Sequence, residues 1–229
     1  MKKLIISLAA LVMTTGAFAQ FNFGVRVGGN LASISKVAEK APGLDLGDLV
    51  TAETTQAMKV GFNAGLYAEY MVMPLLGVQV EANFSSQGVR TNSTVSSSLF
   101  GAGAESSTNY NINYLNVPIL AKLHFANLRA FVGPQIGFAL GGNTVTTVPD
   151  KDGGESVTKE PLEADSYSGV DFSFVVGAQM KLTANLGVDA RYNIGVGNFF
   201  PTLKNDEGEV TREGFGKQGV VQLGVFYEF

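Results

Sequence analysis

The sequence contains no cysteine, which excludes both a disulfide framework and a thiolate metal site. It has one histidine, His124, and a lone histidine without cysteine or a nearby carboxylate motif does not make a metal centre. Charge is also scarce. Lys+Arg number 16 and Asp+Glu 20, a charged fraction of 16%, against roughly a quarter in soluble domains. The net charge of -4 is mild and leaves out nucleic acid, whose partners carry a basic stripe. Beyond the opening residues, no apolar run approaches the roughly 20 residues of a membrane-spanning helix.

The opening residues read as an export address. Lys2 and Lys3 precede the apolar run Leu4–Met13, and Ala17-Phe18-Ala19 forms a small-x-small cleavage site before Gln20. A signal peptide over 1–19 and one domain over 20–229 are therefore expected, with no linker inside the latter. Export without a membrane helix leaves three destinations: the periplasm, the medium, or the outer membrane as a β-barrel.

What the sequence does have is glycine (28), phenylalanine (16) and period-two alternation. Eight segments alternate, the signature of strands with two unlike faces: Phe21–Leu31, Met58–Val72, Leu76–Gln87, Tyr110–Phe125, Arg129–Leu140, Val170–Leu182, Leu186–Val196 and Gly219–Phe229. The connections alternate long and short; Met73-Pro74-Leu75, Ala126-Asn127-Leu128 and Thr183-Ala184-Asn185 are the short ones. This predicts an all-β fold, an eight-stranded antiparallel transmembrane β-barrel with short periplasmic turns and four long extracellular loops. Pro118 cannot donate to a ladder, so a bulge is expected there. The fifth segment is the least regular, with Phe131 on its Gly/Gln face and Pro134 on its apolar face.

Aromatics test the topology independently. Phe21, Phe23, Tyr70, Phe125, Tyr227 and Phe229 fall at the periplasmic rim, and Phe62, Phe84, Phe138, Phe172 and Phe174 near the outer one. Two such girdles match the two membrane interfaces.

The charges sharpen the reading. In the strand cores none lies on the apolar face, while the other face carries Arg26, Lys59, Lys122, Lys181 and Arg191 against Glu69, Glu81, Asp171, Asp189 and Glu228. Soluble barrels do the reverse. A charge at the bilayer midplane costs about 2–4 kcal/mol, so the charged face is the lumen. Eight strands leave room for little more than their own side chains. A balanced set of charges there is expected to pair and plug it.

The last segment, Gly219–Phe229, places Val221, Leu223, Val225, Tyr227 and Phe229 on one face and Gln222, Gly224, Phe226 and Glu228 on the other. Gln222, Gly224, Tyr227 and Phe229 also follow the order polar, Gly, aromatic, aromatic of a C-terminal signal read by the outer-membrane insertion machinery. That machinery and the outer-membrane lipid are the expected partners.

Other candidate chemistry is thin. His124 falls in the lumen by phase, where polar filling outweighs a catalytic base without a nucleophile. Asp150-Lys151-Asp152-Gly153-Gly154-Glu155 resembles the start of a calcium loop but lacks its full spacing. Asn92-Ser93-Thr94 has the form of a glycosylation sequon, and Phe199-Phe200-Pro201 could touch a partner from an outer loop. No cofactor and no catalytic set is expected, so an enzyme is not.

The pieces N-F-G-V-R-V-G-G-N-L at Asn22–Leu31, V-E-A-N-F-S-S-Q-G-V at Val80–Val89, Y-L-N-V-P-I-L-A-K at Tyr114–Lys122 and F-V-G-P-Q-I-G at Phe131–Gly137 together resemble the PorT-like outer-membrane β-barrel family of Bacteroidetes-type bacteria. The resemblance spans nearly the whole chain after residue 19. It implies eight strands and an outer-membrane location, and it carries over no functional residue. Its name-giving member takes part in protein secretion. The expected function is an integral outer-membrane anchor presenting extracellular loops, with an extracellular or secretion-system protein as a candidate partner. The alternative is a narrow porin or a component of a secretion apparatus.

Overall fold

Strands with one apolar and one polar face must bury one of them, and closing the sheet on itself does so without leaving edges. The computed structural model describes residues 21–34, 50–97, 103–149, 154–162, 168–197, 203–204, 210–212 and 216–229. They form β1 (Phe21–Ile34), β2 (Val50–Met73), β3 (Leu76–Ser97), β4 (Gly103–Phe125), β5 (Leu128–Pro149), β6 (Glu155–Pro161), β7 (Val170–Lys181), β8 (Leu186–Gly195), β9 (Leu203–Lys204), β10 (Val210–Arg212) and β11 (Gln218–Glu228). The signal-peptide reading over 1–19 and the Phe199-Phe200-Pro201 reading lie outside the described residues, as does most of the Asp150–Glu155 stretch.

Eight strands close a ring in the order β1-β2-β3-β4-β5-β7-β8-β11, every neighbouring pair antiparallel. The β1–β11 ladder, running from Gly24↔Glu228 to Ile34↔Gln218, seals it. β6 adds to the far end of β5, and β9 and β10 pair apart from the ring. The fold is thus the eight-stranded antiparallel barrel that the alternation predicts.

Alternation decides which way each side chain points. Val25, Val27 and Leu31 point outward from β1 while Arg26 and Asn30 are buried, and Val221, Leu223 and Val225 point outward from β11 while Gln222 and Phe226 are buried. The interior is polar: Arg26, Glu69, Glu81, Lys122, Asp189 and Arg191 are all buried. The outer surface is apolar, and its aromatics meet at both rims. Phe21 lies 5.0 Å from Tyr70, and Tyr227 lies 5.5 Å from Phe229, at the short-turn end. Phe62 and Phe84 lie 5.5 Å apart towards the other.

The strands run further than periodicity indicates. Ser/Thr-rich stretches that read as loops continue as paired strand: β2 and β3 stay paired up to Val50↔Ser97, past a register shift between Met58 and Asn63, and β3 and β4 stay in register up to Ser96↔Gly103. Above the apolar band both faces can be polar, so alternation fades while Val and Thr still favour extended backbone. At the short-turn end, Ala126 accommodates a tight reversal with φ of 53°.

The bulge expected at Pro118 lies elsewhere. Register is unchanged across Pro118, and the shift between β4 and β5 comes at Asn113/Tyr114, opposite Leu140 and beside Gly141 at φ 130°. Proline removes a donor without adding a residue, so it deletes a hydrogen bond and leaves the count of residues even. An extra residue is what a bulge requires.

Candidate functional site

The most highly organised chemistry among the described residues is the lumen. Five strands bring carboxylates to it: Glu69 from β2, Glu81 from β3, Asp171 from β7, Asp189 from β8 and Glu228 from β11. Each stands on the inward phase of its strand, because an outward charge would face the apolar surface.

Arg191 makes the longest reach. Its Nη1 donates to Glu81 Oε2 at 2.8 Å, and its Nε donates to Asp189 Oδ2 at 2.9 Å. β8 and β3 stand four places apart around the eight-stranded ring, so this ion pair joins opposite walls. Its side chains are 1% and 0% exposed, so little solvent competes for the pair. Arg26 Nη2 donates to the same Asp189 at 3.0 Å, and Arg26 Nη1 lies 3.4 Å from Gln222 Oε1. Two guanidiniums thus share one carboxylate, and Glu81 supplies the second negative charge.

A second cluster closes the short-turn end. Lys122 Nζ donates to Glu69 Oε2 at 3.1 Å and also reaches Gln79 Oε1. His124 Nε2 shares a hydrogen bond with Glu69 Oε1, and Arg129 Nη1 lies 3.8 Å from Glu69 Oε2. Arg129 forks onto Glu228, its Nη2 donating to Oε1 at 3.1 Å and its Nη1 to Oε2. Lys181 Nζ donates to the same carboxylate and to the Ala184 carbonyl at 3.1 Å. A forked guanidinium fixes orientation as well as charge.

Eight of the ten charges placed in the lumen by phase therefore meet: Arg26, Glu69, Glu81, Lys122, Lys181, Asp189, Arg191 and Glu228. Lys59 and Asp171 stand apart from them. Lys59 Nζ donates to the Gln87 carbonyl at 3.2 Å, and Asp171 forms no ion pair among the described residues. Both sit towards the long-connection end, on β2 and β7 at opposite sides of the ring, and they form no ion pair with each other.

Arg129 lies outside the sequence reading, and His124 falls in the lumen there without its partner. Arg129 opens the irregular fifth segment, where alternation is weak, yet it shares the phase of Phe131 and Gln135, the signal that points it inward. His124 lacks a carboxylate nearby in sequence but has Glu69 in space, across 55 positions. No grouping of three or more His, Asp or Glu residues able to hold a metal occurs among the described residues.

The four positions read as an insertion signal divide by face. Gln222 is buried in the lumen, and Gly224 faces it where a Cβ would stand 2.7 Å from Asp189 Oδ1. Tyr227 and Phe229 point outward, and Phe229 N donates to the Phe23 carbonyl at 2.9 Å.

A closed antiparallel ring, apolar outside and ion-paired inside, is the architecture of a membrane-spanning β-barrel. The family model described as "Outer membrane protein beta-barrel domain" matches residues 18–201, and the chain belongs to that family. Among solved structures it is similar to Neisserial surface protein A, with 13% identity and a TM-score of 0.40, over 91% of this chain and 97% of that one. Ail of Yersinia pestis gives 14% identity and a TM-score of 0.40, over 92% and 99%. Outer membrane protein W of E. coli gives 17% identity and a TM-score of 0.36, over 92% and 98%. A comparison with curated proteins finds no match.

Proposed function

We propose that this protein is an outer-membrane anchor whose lumen is closed to ions and whose activity resides in the connections at its long-connection end. The observation that carries this reading is the Arg191–Glu81 pair, 2.8 Å long and joining opposite walls. Breaking a buried ion pair by taking one partner away leaves an uncompensated charge, so an ion in transit could not separate it cheaply. The short-turn end then faces the periplasm and the extended β2–β6 hairpins face outward. The partners in this reading are outer-membrane lipid, the insertion machinery acting on Gln222, Gly224, Tyr227 and Phe229, and a protein met by the outer hairpins. The four sequence pieces that resemble the PorT-like barrels support that finer family placement and, with it, a secretion-system partner. Cleavage of residues 1–19 during export completes the reading.

The test is single-channel recording of residues 20–229 refolded into a planar bilayer, with a heat-dependent gel shift showing that the barrel has formed. A folded, silent barrel is the expected result. Reproducible conductance steps would make a narrow porin the better reading.

A further inference from the structure

Three irregularities of the sequence converge at one place in the wall. Pro118 on β4, and Phe131 and Pro134 on β5, each break the pattern of their strand, and the fold brings them side by side. The β3–β4 ladder passes from Val80↔Ile119 to Asn83↔Asn116 without the pairs at Glu81 and Ala82. The β4–β5 ladder passes from Pro118↔Gln135 to Ala121↔Val132 without the pairs at Ile119 and Leu120. Proline explains both gaps. The Glu81 carbonyl faces the nitrogen of Pro118 and the Ile119 carbonyl faces that of Pro134, and neither nitrogen carries a hydrogen. β4 is thus short of a backbone hydrogen bond on each side at the same height. Within a bilayer no water replaces such a bond.

Behind this stretch the lumen changes character. Leu120, Phe131 and Val175 form a buried apolar cluster directly inside the gaps, bordered by Arg191 at 5.0 Å from the Phe131 ring. In front of it, Val80, Ile119 and Val132 are exposed on the outward face. Apolar side chains therefore line both sides of the weakened wall. Gly133 lies between them without a side chain, its Cα so close to the Ile119 carbonyl that a Cβ would collide with it.

We infer that β4 forms a lateral seam, and that one acyl chain of a membrane phospholipid enters it to pack against Leu120, Phe131 and Val175. The occupant follows from position: the outer lip is apolar and abuts the hydrocarbon of the bilayer, and beyond the two carbonyls the inner surface is formed by the apolar side chains of Leu120, Phe131 and Val175. The ion pairs lie beside the cluster, so the seam admits a lipid tail and leaves the lumen closed to ions.

The chain contains no tryptophan, so single substitutions give single emitters. Phe131→Trp reports from the seam, Phe226→Trp from a buried lumen site on β11, and Phe138→Trp from the lipid face. Each variant is refolded into vesicles of phosphatidylcholine with brominated acyl chains, and folding is checked by the gel shift. The expected result is quenching of Phe131→Trp several-fold above Phe226→Trp and approaching Phe138→Trp. Adding Pro118→Val and Pro134→Val restores the two donors and should bring Phe131→Trp down to the Phe226→Trp level while Phe138→Trp stays unchanged. Equal quenching of Phe131→Trp and Phe226→Trp would overturn the seam, as would quenching that persists undiminished after both prolines are replaced. Leu120→Trp serves the same comparison if Phe131→Trp does not fold.

Discussion

The two halves of the lumen are both polar and buried, yet they hold the barrel in different ways. Towards the short turns, charged side chains reach across. Arg191 meets Glu81 over 110 positions of sequence, and Arg129 meets Glu228 over 99. Towards the long connections, neutral side chains bond along the wall. Asn30 donates to Ser85 Oγ at 2.8 Å and accepts from Asn63 at 2.5 Å, all within β1, β2 and β3, and Gln135 donates to Ser173 at 3.0 Å between adjacent strands. Above them Val89, Ile112 and Tyr114 form an apolar cluster with Leu162 packed against it. Long charged side chains can span the lumen and are costly unless paired, so they close it. Short amides reach no further than the next strand but one, so they line it.

The largest test of this contrast is Arg191→Met. It leaves Glu81 without its partner across the lumen, and removing one member of a buried pair costs about 3–5 kcal/mol. Unfolding of the refolded barrel in urea should shift to much lower concentration, and the double variant Arg191→Met/Glu81→Gln should recover part of the loss. Stability equal to that of the unaltered chain would mean that the crossing pair does not hold the walls together.

Next in size is a comparison of inside with outside. Val225→Arg puts a charge on the lipid face, where the cost is about 2–4 kcal/mol at mid-depth. Gln222→Arg puts the same charge in the polar lumen. Outer-membrane levels should fall much further for Val225→Arg, and equal levels would invert the assignment of faces.

Asn30→Ala should do least. It removes hydrogen bonds to Ser85 and Asn63 from the wall-lining half, a loss of about 1–3 kcal/mol. Urea unfolding should register that loss while bilayer recordings stay silent, because no crossing pair is touched. Conductance in Asn30→Ala would move the closure to the neutral half.

Strand number, order of pairing and the inward phase of the charges were all legible in the sequence, because a barrel wall between lipid and a polar lumen imposes period two on every strand. Arg26 and Val27 differ by one position and face opposite solvents. Partners were not legible: nothing local to Arg191 points to Glu81, since the ring's closure alone brings β8 opposite β3. Strand ends were also hidden, because Thr91 and Thr108 extend beyond the apolar band, where alternation has no cause. Proline could be seen to trouble β4, but whether it bulges or merely drops a bond depends on the partner strand.

The β1–β11 ladder has a kinetic consequence. Arg26 and Gln222, which touch across that junction, lie 196 positions apart, whereas β2–β3, β4–β5 and β7–β8 are hairpins that need only local chain. Folding rates fall as native contacts become more distant in sequence. The hairpins should therefore assemble early and the final junction last. Until it forms, β1 and β11 each expose a row of unpaired backbone groups, and in hydrocarbon such an edge has no water to satisfy it. The slow step is thus the most hazardous one, and a catalyst that held β11 until β1 arrived would act where the barrel most needs it.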